Sequence, residues 1–314
     1  MKKRERRFFG RKTDHARFAS EKKKVNFVSD IISLVKFGVL LSNVFPVFTG
    51  FWLALVFTER ALLDHWSVLL FTLAGSTLVM AGALIINNWY DADIDSLMAR
   101  TKSRPTVTGS IPPQAVWISG VATTVGGFVF LTFTTMEATI YAFVGWFTYV
   151  VLYTMWSKRR YTWNTAVGSI SGAVTPMIGW AAVAKAFHPV PLLLFLLLFL
   201  WQMPHTYAIA IRRYEEYKAA GVAMLPVVRG IRAAKWQISF YVVWLLPVPF
   251  LLGALGPVFV TAGTLLNIGW IVFTVSGFYT KDNVQWAYLL FLYSVGYLML
   301  LFLVMIIVTL PVFR

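Results

Sequence analysis

Asn87, Asp91 and Asp95 recur every four residues in the run NNWYDADIDSLMARTKSRP that begins at Asn87. On an α-helix these positions fall within about 80° of arc and share one face, with Asp93 on roughly the opposite side. Two carboxylates and an amide oxygen on one face make a hard-oxygen site suited to Mg²⁺. That ion keeps several waters and completes its shell with substrate phosphates. Arg100, Lys102 and Arg104 follow directly. Beside an acidic metal site they suit a polyphosphate, the metal taking bridging oxygens while the cations neutralise the rest. A calcium loop is excluded, because Ser96 and Lys102 stand where such a loop needs Gly and Glu.

Two further segments have the same character. Tyr153 to Arg160 reads YTMWSKRR and carries Tyr153 and Lys158. Arg212 to Lys218 reads RRYEEYK, with Glu216 a candidate second metal-binding carboxylate and Lys218 a further cation. Arg212 and Glu216, four apart, could equally be a helix surface pair. Three helix ends that offer acid or base to one side predict a shared pocket for a phosphorylated ligand.

The elements that must position these groups are membrane helices. Of 314 residues, 58% are hydrophobic and 13% charged, a balance soluble domains rarely reach. Apolar runs and their punctuation predict an all-α bundle of about nine spans, near 31–57, 66–90, 113–133, 137–156, 164–184, 191–211, 236–255, 258–279 and 285–310. Placing the N-terminus in the cytoplasm puts 25 of the 28 Lys and Arg on that side, leaving Arg60, Lys185 and Arg314 opposite. The cavity of the bundle is therefore expected to open to the cytoplasmic side. Residues 1–27 form a basic tail ahead of a membrane domain at 28–314. Such a tail is drawn to anionic lipid headgroups of the bilayer, with no nucleic acid implied. Glu5, Asp14 and Glu21 interrupt it and it is poor in serine, so a bacterial plasma membrane suits it better than a mitochondrial inner membrane. Cysteine is absent, which removes disulfide and thiolate chemistry.

At these residues the chain resembles the intramembrane prenyltransferase superfamily that includes 4-hydroxybenzoate polyprenyltransferases. That family's NDxxDxxxD motif appears with Asn87, Asp91 and Asp95 intact and Asn88 in place of its first Asp. Its Tyr and Lys ending the fourth helix match Tyr153 and Lys158. Its second DxxxD aligns with Arg212 and Glu216, so the first acid is lost. RTKSRPTVTGSI at 100–111, GAVTPMIGWAAV at 172–183 and LWQMPHTYAIAIRRYEEYKAAGVAMLPVVRG at 200–230 narrow the resemblance to the protohaem IX farnesyltransferase branch. Thr175 stands where that branch usually has Pro, and Thr206-Tyr207 where it has Phe-Trp.

The resemblance implies farnesyl diphosphate as donor and haem B as acceptor, with a haem A synthase as a candidate partner. It places Mg²⁺ on Asn87, Asp91 and Asp95 with Glu216 assisting, and the diphosphate against Arg104, Lys158 and Lys218. Of four histidines only His205 lies well within a span, with Gln202 and Arg212 about 60° and 20° away on the helical wheel. His205 is a candidate iron ligand or propionate partner, and Arg212 a propionate partner. Two rival functions stay open. A quinone or chlorophyll precursor could replace haem as acceptor. An anion transporter could instead use the acids as a coupling-ion site.

Overall fold

The computed structural model describes residues 27–313, so residues 1–26 of the basic tail lie outside the described residues. Every regular element among them is helical. Seven helices are long and apolar enough to cross a membrane: Phe37–Phe57, Trp66–Tyr90, Pro113–Thr132, Met136–Ser157, Pro189–Arg212, Pro257–Ser276 and Asn283–Val308. They are spans one to four, six, eight and nine. Span five is broken at Val174 into Asn164–Ala173 and Thr175–Ala181, with Pro176 opening the second half. Span seven, Ile231–Trp244, stops before Pro247 and resumes as the single turn Val248–Leu251. Proline supplies no N–H and clashes with the preceding turn, which accounts for both interruptions. The carbonyls that these breaks free find partners. Thr175 Oγ1 donates to Gly172 O at 2.7 Å, and Asn267 Nδ2 donates to Leu245 O at 2.9 Å.

The apolar pattern starts span one at residue 31. In the structure a separate helix, Phe27–Leu34, precedes the span, and Lys36 makes the corner with φ 48° and ψ 56°. The corner turns the lysine toward the end of span two.

Small residues let backbones meet where no hydrophobic effect drives helix association. A Cβ on Gly179 would lie 1.9 Å from Val47 O, and one on Gly50 would lie 2.0 Å from Pro176 O. Span one and the second half of span five are thus in backbone contact. Gly179→Ala must push the two apart, and overpacking of this kind costs about 1–3 kcal/mol. The expected result is a clear drop in the melting temperature of the purified protein in detergent.

Candidate active site

The end of span two builds the centre of the site. Asn87, Asp91 and Asp95 are all buried, at 2%, 1% and 4% exposure, although they sit beside the polar loops. Ionisable groups so placed are costly unless paired, and usually functional. Each is met by a cation from a different element. Lys36 donates to Asn87 Oδ1, Lys158 to Asp91 Oδ2, and Arg104 to Asp95 Oδ2. Asn87 Nδ2 bridges to Asp91 Oδ2 at 2.8 Å and to Thr154 Oγ1 at 3.0 Å. Burial and the nearby charges of Arg104 and Lys158 hold the Lys36 ammonium well below its usual range, with Asp91 and Asp95 pulling the other way. Three cations from three other segments of chain therefore close on Asn87 in the last turn of span two, Asp91 at its cap and Asp95 on the short helix Ala92–Ser96 that follows.

Span four reaches the site through an irregular helix. Over Thr148–Ser157 the backbone widens to i→i+5 bonding, which ends in a 2.9 Å bond from Lys158 N to Tyr153 O. Such widened turns are frequent at functional sites. Here Lys158 is carried one wide turn beyond Tyr153, its Nζ 5.9 Å from that ring centre. The Tyr149 and Tyr153 ring centres lie 5.7 Å apart beneath it.

Below the charged cluster a cavity of about 230 Å³ runs into the membrane region. Spans one, two, four, five and six line it, from Ala83 and Tyr153 near the charges down to Ser76, Gly145 and Ile178. Asn87 to Ser76 is about 16 Å along span two. Gly168 and Gly172 let spans four and six pack close to span five along this wall. A Cβ would meet Tyr153 Cδ2 at 3.0 Å on Gly168 and Gln202 Oε1 at 2.5 Å on Gly172. Thr175 and Thr206, two departures from the branch pattern, both line the cavity.

Other predicted site residues are placed elsewhere. Gln202 lines the cavity and donates to Ser169 O at 3.1 Å. His205 faces span nine instead, with Nδ1 2.7 Å from Ser294 Oγ and its ring stacked on Trp201. Arg212 also faces span nine, 4.4 Å over the Tyr288 ring. The three do not converge, because three residues of helix separate Gln202 from His205 by enough rotation to engage different neighbours. Glu216 pairs with Arg213 at 2.8 Å and lines a second recess of about 600 Å³ with Arg212, Lys281 and Asp282. Among the described residues no three carboxylates or imidazoles converge on one point, so Glu216 does not join Asp91 and Asp95. Its chain neighbour Tyr217 packs against the apolar cluster of Ile94, Met98 and Ala210. Burial raises that phenol's pKa, Tyr153 and Glu216 adding to the effect and Arg100 and Lys158 opposing it. Arg100 and Lys102 are exposed, and Lys218 is exposed against the Tyr214 ring at 5.9 Å.

Sequence reasoning missed Lys36, Thr154, Tyr149 and Arg159, and it left Asn88 without a role. Asn88 is 1% exposed and donates to Leu34 O at 2.6 Å, which pins the helix that leads into Lys36. An aspartate there has no donor for that carbonyl. Asn88→Asp is therefore expected to lower stability by about 1–3 kcal/mol and to speed proteolysis near residues 27–36, with no gain in metal affinity.

A family model of UbiA prenyltransferases matches residues 43–310. The chain belongs to the UbiA prenyltransferase family. It is 49% identical to a protoheme IX farnesyltransferase of Oceanobacillus iheyensis over 296 residues, covering 94% of each. It is 52% identical to a protoheme IX farnesyltransferase of Bacillus thuringiensis, covering 90% of this chain and 92% of that one. Solved structures share the UbiA fold at low identity. One, a digeranylgeranylglyceryl phosphate synthase, aligns at a TM-score of 0.70 with 19% identity, over 90% of this chain and 98% of that chain. Another is a UbiA homolog from Archaeoglobus fulgidus bound to DMAPP and Mg²⁺, with a TM-score of 0.66 and 17% identity, over 86% and 99% of the two chains.

Divalent-metal use, to which that family points, suits the donor set here. Asp91 Oδ1 is buried and has no hydrogen-bond partner, and Glu216 Oε2 is in the same condition. An orphaned carboxylate oxygen in a buried site is costly as it stands and is a ready ligand for a hard cation.

Proposed function

We propose that this protein transfers the farnesyl group of farnesyl diphosphate to a vinyl group of haem B, with addition of water, to give haem O. The observation that carries this reading is the charged cluster of Asn87, Asp91, Asp95, Lys36, Arg104 and Lys158 set directly above an apolar cavity. A prenyl diphosphate has that same division, a polyanionic head on a long apolar tail. The relatives' shared activity supplies the acceptor.

Asn87, Asp91 and Asp95 would hold Mg²⁺ against the diphosphate, and Glu216 is a candidate for a second ion. The metal would supply Lewis acidity and neutralise charge on the leaving group. Lys36, Arg104 and Lys158 exchange their present partners for diphosphate oxygens. Donors already in place thus stabilise the departing anion, and such preorganised electrostatics usually contribute more to catalysis than any other effect. As the allylic C–O bond breaks, the electron pair leaves with diphosphate and the farnesyl carbon becomes cationic. The Tyr149 and Tyr153 rings at the top of the cavity offer their faces to that cation. A haem vinyl carbon attacks it, water adds to the new cation, and a proton is lost to solvent. The cavity walls exclude bulk water from the first cation. The lysine and arginine asymmetry of the loops supports an N-terminus in the cytoplasm of a bacterial cell.

The acceptor is the part a sister enzyme would change. Detergent-solubilised protein with farnesyl diphosphate and Mg²⁺ is offered haem B and 4-hydroxybenzoate in parallel. The expected product is a more hydrophobic haem on reverse-phase chromatography, with 4-hydroxybenzoate unmodified. Prenylated hydroxybenzoate and unchanged haem would reassign the acceptor.

A further inference from the structure

Asp93 is the exposed acid of its cluster, and diphosphate chemistry on Asp91 and Asp95 leaves it without a task. Its carboxylate accepts both terminal nitrogens of Arg159, each at 2.7 Å. Arg159 Nη2 also donates to Tyr90 O at 3.2 Å, and the guanidinium lies 5.2 Å from the Tyr90 ring centre. A two-point bond, a carbonyl and a ring together fix the guanidinium plane.

The place where it is fixed matters. The same Nη2 lies 3.6 Å from Asp91 Oδ1, too far for a hydrogen bond. Two buried atoms there have no partner, Asp91 Oδ1 and Arg159 Nε. An unpaired acceptor and an unpaired donor on neighbouring side chains would both be satisfied by one kind of ligand. A metal diphosphate is such a ligand, bringing a cation to the carboxylate and an anionic oxygen to the guanidinium.

We propose that Arg159 is a further cation on the diphosphate, and that Asp93 is the positioning residue that holds it there. This rests on reading the site as one for a prenyl diphosphate. Arginine has many rotamers to lose on binding a ligand, and the Asp93 bond removes that freedom beforehand. It also leaves Nε, rather than a terminal nitrogen, for the incoming oxygen.

Full-length Arg159→Gln, Asp93→Ala and the exchange of Asp93→Arg with Arg159→Asp separate the claims. Inorganic diphosphate with Mg²⁺ is the binding probe, read as protection against thermal unfolding, alongside KM for farnesyl diphosphate and for haem B. Arg159→Gln and Asp93→Ala should each weaken diphosphate binding and raise the donor KM by about tenfold or more, leaving the haem KM unchanged. The exchange discriminates positioning from a plain structural latch. It restores an ion pair between the two positions but sets a carboxylate beside Asp91. The melting temperature should therefore recover while diphosphate binding stays weak. Recovered binding in the exchange variant would overturn the proposal. So would an Arg159→Gln protein that binds diphosphate as the wild type does. A wild type that binds inorganic diphosphate but farnesylates no acceptor would sink the functional reading and leave this inference standing. A wild type that binds no diphosphate would overturn both.

Discussion

Asp91→Asn is expected to abolish turnover while the protein still folds and inserts. Asp91 is the centre of the charged cluster, at 1% exposure. Its Oδ2 receives Lys158 and Asn87 Nδ2, and its Oδ1 is the unpartnered oxygen. The amide has the same shape, so packing survives, but the anion that would draw the metal is gone. Lys158 is left facing a neutral group, which costs some stability without removing the apolar contacts that hold span two. Loss of one preorganised electrostatic contact costs about a hundredfold to a thousandfold in rate. Loss of the charge that holds the metal should exceed that range. Product formation and the melting temperature, measured on the same preparation, check the two halves of the statement. Near-normal activity in Asp91→Asn would remove the metal assignment.

Ala83→Phe should cost nearly as much by a different route. Ala83 is 5% exposed and lines the cavity one turn of span two below Asn87. A phenyl ring there fills much of a space of about 230 Å³ where the tail of the donor must lie. Farnesyl transfer is expected to fall by about a hundredfold or more, since a misplaced reacting centre alone costs that much. Binding of inorganic diphosphate, which needs only the charged cluster, should persist. Farnesyl transfer at the wild-type rate would show that the tail runs elsewhere. Loss of diphosphate binding as well would show only that the variant disturbs span two.

The second-span cluster is legible in the sequence from the i, i+4, i+8 spacing of its donors, although span two ends at Tyr90 and Asp95 lies on the separate short helix Ala92–Ser96. Tyr153, Lys158 and Arg104 are likewise readable as local runs near predicted helix ends. The misses share a cause. Lys36 stands alone in the sequence and reaches Asn87 only because the backbone turns a corner at that residue. Tyr149 and Thr154 read as ordinary apolar-helix residues until the widened turn of span four aims them. Asn88 looks like a weakened motif, and its amide is instead the donor that a carboxylate could not provide. Gln202, His205 and Arg212 group together by rotation about one helix axis. The structure divides them by neighbour, Gln202 with span five and the other two with span nine. Spans five and seven lie where the apolar pattern puts them, but their breaks at Val174 and before Pro247 leave freed carbonyls that Thr175 meets locally and Asn267 meets from span eight.

Farnesylation of haem by a metal-loaded site is decided by mass detection of the pigment that purified protein forms from haem B, farnesyl diphosphate and Mg²⁺, with and without EDTA. The expected pigment is a haem heavier by one farnesyl group and one water, absent when EDTA is present and restored by excess Mg²⁺. Unmodified haem in every condition, from folded protein that binds both haem and inorganic diphosphate, would contradict that assignment.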